Sequence, residues 1–314
     1  MTELARAFWT TAPGRGELRA TPIGSEGTRV TTLASGISRG TEALVFAGRV
    51  PESQYAGMRA PLMEGDFPFP VKYGYSAVGR DDAGQRVFVL HPHQERFRAP
   101  PAMCIKVPDT VPTHRAVLAA NMETALNILW DAAPLLGERI LIIGAGVVGL
   151  LTASLCARIP ASDVTVVDID PGRAALAESF GCRFALPEDA PPDQDLIIHA
   201  SASEAGLRLA LDRAAVEARI IEASWFGDRT PALPLGEAFH QRRLRIVSSQ
   251  VGRVSPAMRQ GRSYGQRLAT ALDLLADDRL DALVQSRCAF DDLPDRMAGL
   301  LQGGLCHVVT YGES

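Results

Sequence analysis

The sequence predicts an α/β protein of two domains, an antiparallel β-rich module followed by a doubly wound parallel sheet with helices on both faces. Two observations carry this. Up to about residue 110, short alternating runs such as 28–33 and 86–90 are broken by Gly, Pro and Asp, as at Asp82-Ala83-Gly84, which is the texture of antiparallel strands and turns. From Arg139 onward, short apolar runs alternate with helical stretches at the spacing of parallel strands joined by crossover helices. With 314 residues, 46% of them hydrophobic, the chain can bury two ordinary cores. The boundaries fall at 1–115 with 260–314 for the β-rich domain and at 116–259 for the parallel one.

Within the first domain the longest loop runs from Thr41 to Tyr73, and loops of that length usually carry function. The texture changes at Pro112, after which 114–132 has few breakers and reads as helix. Then come a strand at 140–143, a helix at 147–158, a strand at 164–168, and a helix at 173–180 with Asp170 as N-cap, Pro171 at its first position and Gly181 closing it. A buried strand follows at 196–199. Ser201-Ala202-Ser203-Glu204 has the capping-box pattern and opens a helix through Ala215. Strands at 219–222 and 244–248, a helix at 268–276 and a final strand at 306–311 complete the chain.

Lys and Arg number 32 against 36 Asp and Glu, so the surface lacks the basic bias that a nucleic-acid partner demands. Cys104, Cys156, Cys182, Cys288 and Cys306 are dispersed, with no metal-ligand cluster and no disulfide framework, which suits a reducing compartment. No run reaches the ~18 apolar residues of a spanning helix, and no apolar leader follows Met1. A cytoplasmic protein with no membrane partner is expected.

The most specific chemistry lies at Gly144-Ala145-Gly146-Val147-Val148-Gly149. A bare GxGxxG occurs by chance in many loops, but here the apolar strand 139–143 precedes it and an apolar helix follows. Gly144 permits the tight turn, Gly146 clears the approach of a pyrophosphate, and Gly149 lets helix and strand pack closely. The phosphates would sit on the helix N-terminus, at Val147 and Val148. Asp168 ends the next strand about 20 residues on, where an acidic side chain hydrogen-bonds the ribose hydroxyls of NAD(H) and repels the 2′-phosphate of NADP(H). Arg173 could meet a 2′-phosphate there, but its more ordinary role is to flank the adenine or lie on the helix surface, and Ser201 follows the next strand end. The context predicts a Rossmann dinucleotide site; a flavin or nucleotide-sugar domain, or a Rossmann domain with no ligand, is the alternative.

Three further segments carry a resemblance: Ser35-Gly36-Ile37-Ser38-Arg39-Gly40-Thr41-Glu42, Lys72-Tyr73-Gly74-Tyr75-Ser76-Ala77-Val78-Gly79, and Ile142 through Gly149. Their order over nearly the whole chain resembles the medium-chain dehydrogenase/reductase superfamily, which implies a GroES-like catalytic domain and a Rossmann domain, with substrate entering the cleft between them. The run Gly65-Asp66-Phe67-Pro68-Phe69-Pro70 and the segment Leu90-His91-Pro92-His93-Gln94 most resemble the bacteriochlorophyllide a dehydrogenase branch. Zinc-dependent members carry a Cys where Ser38 stands, a His and a Glu where Tyr75 and Ser76 stand, and a four-cysteine lobe before the Rossmann domain; here that lobe is missing, since only Cys104 lies between His93 and Pro112. A hydroxyl and a phenol are poor Zn²⁺ ligands beside thiolate and imidazole. A zinc-independent enzyme with no metal site is therefore expected.

Without zinc, side chains must move the proton and steady the developing alkoxide. Tyr75 stands nearest the lost metal and can donate to a carbonyl, or it is only an aromatic wall with a satisfied hydroxyl. Ser38 and Thr41 fall where the resemblance places proton-relay residues, or they cap backbone groups. His91 and His93, two apart on an extended segment, would point to one side as a relay or substrate contact; a metal pair and a loop role are the alternatives. Glu123 would hydrogen-bond substrate or bind a neighbouring Arg. Arg39 would reach the cofactor pyrophosphate or pair with Glu42. The arginines at 242, 243, 245, 253, 259 and 262 form a solvated face or meet an acidic group.

The expected function is an NAD(H)-dependent, zinc-independent oxidoreductase moving a hydride between nicotinamide and a secondary alcohol or ketone, with a bulky hydroxyalkyl compound as its small-molecule substrate. An enoyl or quinone reductase and an NAD-binding protein without turnover are the rivals. The resemblance also implies a homodimer through the strand 244–248, whose apolar edge invites pairing.

Overall fold

The computed structural model describes residues 3–312 and divides into two compact units, one running to Ala120 and resuming at Leu268, the other spanning Asn121–Arg267. In the first unit the strands are β1 (Leu4–Ala12), β2 (Arg15–Pro22), β3 (Thr28–Ile37), β4 (Glu64–Gly65), β5 (Val71–Lys72), β6 (Ala77–Asp81), β7 (Arg86–Val89), β8 (Arg96–Ala99) and β9 (Ile105–Lys106). β3 is followed by helix α1 (Arg39–Phe46), and β9 by α2 (Thr113–Ala116) and α3 (Ala119–Ala132). One sheet has the order β2-β1-β5-β4. The larger GroES-like sheet centres on β3, which pairs antiparallel with β6 and β8.

In the second unit β10 (Arg139–Ile143) leads into α4 (Val147–Cys156), followed by β11 (Asp163–Val167), α5 (Ala174–Ser179), β12 (Arg183–Ala185), β13 (Gln194–His199), α6 (Glu204–Arg213), β14 (Ala214–Glu222) and β15 (Arg245–Ser248). These strands form one parallel sheet in the order β12-β11-β10-β13-β14-β15, the doubly wound Rossmann arrangement that reverses between β10 and β13. The chain then forms α7 (Tyr264–Leu274) and returns to the first unit with β16 (Val284–Ala289), α8 (Leu293–Gln302) and β17 (Cys306–Thr310), which pairs with β3.

The parallel strands are apolar because helices cover both of their faces. Ile140, Leu141 and Ile142 are fully buried, as are Leu196, Ile197 and Ile198 beside them. Each such side chain contributes roughly 1.5–3 kcal/mol. In the first unit burial varies by strand: β2 is exposed or half-buried along most of its length, while Val87, Phe88 and Val89 on β7 are all buried. Val30, Val87, Val89 and Phe97 make one of its cores, and Phe8, Ile37, Phe46, Phe290 and Leu293 another.

Several local expectations are corrected. The stretch 41–73 is not one loop, since it holds most of α1 and the short strands β4 and β5. The helix expected over 114–132 is broken at 117–118 into α2 and α3. Asp170 does cap, accepting the Gly172 N–H at 2.9 Å, but the turn it opens at Pro171–Arg173 is a 3-10 turn leading into α5. The N-cap of α6 is Ser203, which accepts the Gly206 N–H at 3.0 Å, so Glu204 stands at the first helical position and the capping box does not form. That helix stops at Arg213, because β14 already begins at Ala214.

Candidate active site

Ser38 joins the end of β3 to α1. One helical turn later Glu42 folds back, and its Oε1 accepts the Ser38 N–H at 2.7 Å, satisfying a donor that the helix start leaves open. The Glu42 side chain is 3% exposed and the His93 side chain 1%, and Glu42 Oε2 meets His93 Nε2 at 2.9 Å. His93 Nδ1 meets Ser35 Oγ at 2.7 Å, and Ser35 Oγ meets the Tyr311 hydroxyl at 2.9 Å. A file of polar groups therefore crosses the interior of the β-rich unit.

At the other end of this file the Tyr75 hydroxyl donates to Ser38 Oγ at 2.6 Å, with Thr41 as a second partner. Burial, with the Glu42 carboxylate adding to it, pushes the Tyr75 phenol up to about 12. It is thus a proton-bearing donor at neutral pH. Its ring stands edge-on to Tyr73, with centroids 6.0 Å apart, and Tyr73 packs on Phe67 and Phe67 on Tyr55. The Phe-Pro-Phe-Pro segment so supplies an aromatic wall beside the hydroxyl pair.

The remaining expected residues divide. His91 and His93 do not share a network. His91 stacks on Phe97 with ring centroids 3.6 Å apart, and its Nδ1 meets the Pro92 carbonyl at 2.8 Å. Burial, aided by the Lys72 ammonium, pushes its pKa well below the ordinary imidazole value, so it is a neutral packing group. Glu123 is held by the buried Arg267, Nε to Oε1 at 3.0 Å; of its two expected roles, the structure shows the arginine pairing. Arg39 does not pair with Glu42, which turns inward to His93. Arg242 donates to the Asp212 and Ala214 carbonyls and Arg243 pairs with Glu217, so part of the arginine-rich stretch serves the fold.

The hydroxyls at two of the positions where zinc-type enzymes carry ligands are engaged within the chain. Ser38 Oγ accepts from Tyr75, and Ser76 Oγ donates to the Val117 carbonyl. No group of three or more His, Cys, Asp and Glu among the described residues could hold a metal ion. A serine hydroxyl, a tyrosine phenol and a second serine hydroxyl at positions 38, 75 and 76 are a poor donor set for zinc beside thiolate and imidazole.

In the second unit the glycine-rich turn joins β10 to α4. Gly144 has φ +110°, and a Cβ there would lie 2.8 Å from the Ser201 backbone nitrogen. A Cβ on Gly149 would meet the Gly144 carbonyl oxygen at 1.9 Å. Around Gly146, by contrast, there is open space, and as N-cap of α4 it offers no side chain to the helix amides. Those amides face a cradle that suits a pyrophosphate. Asp168, just past β11, accepts the Ala145 N–H on Oδ2 at 2.6 Å, and Oδ1 accepts the Asp170 N–H at 2.9 Å. The carboxylate is thus locked against the turn. Arg173 pairs with Asp170 at 3.2 Å beside it, and Ser201 Oγ is held by His199 Nε2 at 2.7 Å.

No family model matches the chain. An uncharacterized zinc-type alcohol dehydrogenase-like protein of Haemophilus influenzae is 26% identical over 243 residues, 71% of this chain and 67% of that protein. The L-threonine 3-dehydrogenase of Chelativorans sp. is 33% identical over 92 residues, 29% of this chain and only 26% of its own length. Among solved structures, an alcohol dehydrogenase from Escherichia coli CFT073 complexed with NADH matches with a TM-score of 0.79 at 17% identity, over 98% of this chain and 99% of that one. A putative zinc-binding dehydrogenase from Sinorhizobium meliloti 1021 bound to NADP matches with 0.78 at 17%, over the same shares. The chain has the fold of these dehydrogenases.

Four residues of the polar file and its surroundings escaped the sequence. Glu42 was placed only as a partner for Arg39, and Ser35, Tyr311 and the buried Lys72 were not singled out. A helix at Arg39–Phe46 would have revealed Glu42, since it puts position 42 one turn above Ser38. Gly40 hides that helix.

Proposed function

We propose that the chain is an NAD(H)-dependent, zinc-independent oxidoreductase acting on a secondary alcohol or the matching ketone. The observation that carries this is the Tyr75 hydroxyl bonded to Ser38 Oγ at 2.6 Å where a zinc-type enzyme would place two ligands. The breadth of similarity to alcohol dehydrogenases, NADH-bound and NADP-bound neighbours among them, supports the reaction class and the nicotinamide cofactor.

When bound, the nicotinamide supplies the hydride acceptor or donor. Val147, Val148 and Gly149 would hold the pyrophosphate through their amides, and Asp168 the ribose hydroxyls, which disfavours a 2′-phosphate and makes NAD(H) the preferred form. Tyr75, Ser38 and Thr41 hold the substrate oxygen. In reduction Tyr75 gives its proton to that oxygen and takes one back from Ser38, which solvent resupplies; in oxidation the alcohol's proton passes to the hydroxyl pair as Ser38 releases one to solvent. Glu42 stands behind Ser38 and fixes its backbone N–H, and His93 holds Glu42 in place. The aromatic wall of Tyr73, Phe67 and Tyr55 suits a bulky hydroxyalkyl substrate. β15 pairs only with β14 among the described residues, and Val247 on it is 42% exposed, which supports a homodimer formed along that edge.

The test is a screen of secondary alcohols for NAD⁺ reduction by protein whose metal content has been measured. Turnover by metal-free protein is expected. Stoichiometric zinc whose removal abolishes turnover would sink the reading.

A further inference from the structure

The strand ends beyond the glycine-rich turn carry a second polar cluster, which the proton chemistry leaves unused. His199 ends β13 and is 0% exposed. Its Nδ1 meets Glu222 Oε2 at 2.7 Å, and its Nε2 meets Ser201 Oγ at 2.7 Å. Glu222 ends β14, and its other oxygen accepts the Ser224 N–H at 2.7 Å. Ser224 Oγ in turn accepts the Ala202 N–H at 3.0 Å. Both carboxylate oxygens are therefore fixed, and the ring of Phe226 covers His199 with centroids 6.0 Å apart.

The place of this cluster in the sheet tells which part of a dinucleotide it meets. The half comprising β10, β11 and β12 carries the glycine-rich turn and Asp168, and so takes the adenosine ribose. The half comprising β13, β14 and β15, past the reversal of strand order, takes the other nucleotide. His199 and Glu222 stand at the carboxyl ends of that second half, where open parallel sheets bind ligands.

The oxidised nicotinamide ring carries a positive charge that the reduced ring lacks. A carboxylate fixed in a partly buried site acts on such a charge more strongly than one in water, because the surrounding dielectric is lower. Neither neighbouring arginine forms an ion pair with Glu222: Arg219 pairs with Glu138 at 2.8 Å toward the opposite end of the sheet, and the Arg229 guanidinium lies over Phe226. We propose that Glu222, held by His199 and Ser224, determines which oxidation state of the cofactor the chain prefers, favouring NAD⁺ over NADH. This rests on the cofactor reading above.

The experiment measures binding of NAD⁺ and of NADH separately, by calorimetry, to the unaltered chain and to Glu222→Gln. The ratio of the NAD⁺ to the NADH dissociation constant is expected to rise by about fivefold or more in the variant, with NADH affinity within about twofold of the original. Asp168→Asn is expected to weaken both forms alike and leave the ratio in place. An unchanged ratio in a folded Glu222→Gln protein overturns the role of Glu222 and leaves the cofactor reading intact. Failure of the unaltered chain to bind either form overturns both. Should Glu222→Gln not fold, His199→Leu carries the test: withdrawing the imidazole from the carboxylate is expected to lower the ratio, and no change there overturns the proposal.

Discussion

His93 Nε2 and Glu42 Oε2 lie 2.9 Å apart with both side chains buried, so neither has water as an alternative partner. Deleting one member leaves the other polar and unsatisfied in a low-dielectric interior, which costs about 3 kcal/mol or more. Glu42→Ala is expected to lower the unfolding free energy by about that amount in urea titrations. Glu42→Gln keeps the shape and an acceptor for Ser38 N–H, and should cost less than half as much. In a double-mutant cycle, His93→Ala added to Glu42→Ala should cost much less than it does alone, because the pair acts as a unit.

Tyr75→Phe removes the donor hydroxyl and keeps the ring against Tyr73. On the proposed chemistry it lowers the rate of ketone reduction by about 10²–10⁴. NADH affinity should stay the same, since no cofactor-binding role is assigned to this side chain. Steady-state kinetics beside a binding isotherm separates the two. The same substitution has a pH signature. Burial raises the folded phenol from its ordinary value of 10.0 to about 12, so the stability it contributes is full below pH 10 and is lost as the pH climbs toward 12. Tyr73 and Tyr311 are raised in the same direction, also by burial, so the unaltered chain should lose stability through this window as phenolate absorbance appears. Tyr75→Phe should make that loss shallower.

The parallel half was legible because a strand buried on both faces is written as a continuous apolar run, as in Ile140–Ile143 and Leu196–His199, and because each glycine of the turn has a distinct steric reason. The hydroxyl site was legible in part. Tyr75 and Ser38 stood out as replacements at positions where the resemblance expects metal ligands, and the structure joins them by a hydrogen bond. What escaped were contacts between residues far apart in sequence. Ser35 to Tyr311 joins β3 to the end of β17, its neighbour in the sheet, and Glu42 to His93 joins α1 to the segment between β7 and β8; no local periodicity encodes either pairing. His91 shows the opposite failure. A two-residue spacing suggested a shared face, but the segment is not a regular strand there, and stacking on Phe97 takes the ring elsewhere.

His91, stacked on Phe97 and bonded to the Pro92 carbonyl, is expected to contribute to acid sensitivity and not to turnover. Its folded pKa lies well below the ordinary 6.5, through burial first and Lys72 second. A depressed histidine contributes stability that is present above the unfolded value and lost as the pH falls through the folded one. Stability should thus decline as the pH drops below about 6.5, with His91 adding at most about 1.4 kcal/mol per pH unit to the slope. His91→Phe, which can still stack on Phe97, should flatten that acid limb while leaving turnover at neutral pH within about twofold. A large loss of turnover would restore His91 to the chemistry.

Asp168 now accepts the Ala145 N–H, so its carboxylate braces the turn as well as facing the ribose position. Asp168→Ser is expected to weaken NADH binding by about tenfold, the scale of a lost charge-assisted hydrogen bond. NADPH binding should improve or hold, because the repulsion toward a 2′-phosphate is gone. Parallel fluorescence titrations with the two reduced cofactors check this. Equal losses for both would mean that the turn, and not the ribose, is what Asp168 serves.

The two glycines at the ends of Gly146-Val147-Val148-Gly149 separate fold from ligand. A methyl group on Gly149 would sit 1.9 Å from the Gly144 carbonyl oxygen, a backbone atom that cannot swing aside, so Gly149→Ala must displace α4 from β10. Loss of about 2 kcal/mol or more is expected, with cofactor binding lost as a consequence. A methyl group on Gly146 meets nothing within 4 Å, and φ of −76° with ψ of −178° is open to alanine. Gly146→Ala should therefore still fold, the exchange of glycine for alanine at the N-cap costing about 1 kcal/mol or less and lowering the melting temperature by a few degrees at most. Yet that methyl group would occupy the approach to the α4 amides, so NADH affinity should fall by at least about tenfold. A Gly146→Ala protein that folds normally and binds NADH as tightly as before would show that the pyrophosphate does not lie on this turn, and the cofactor assignment would have to be abandoned.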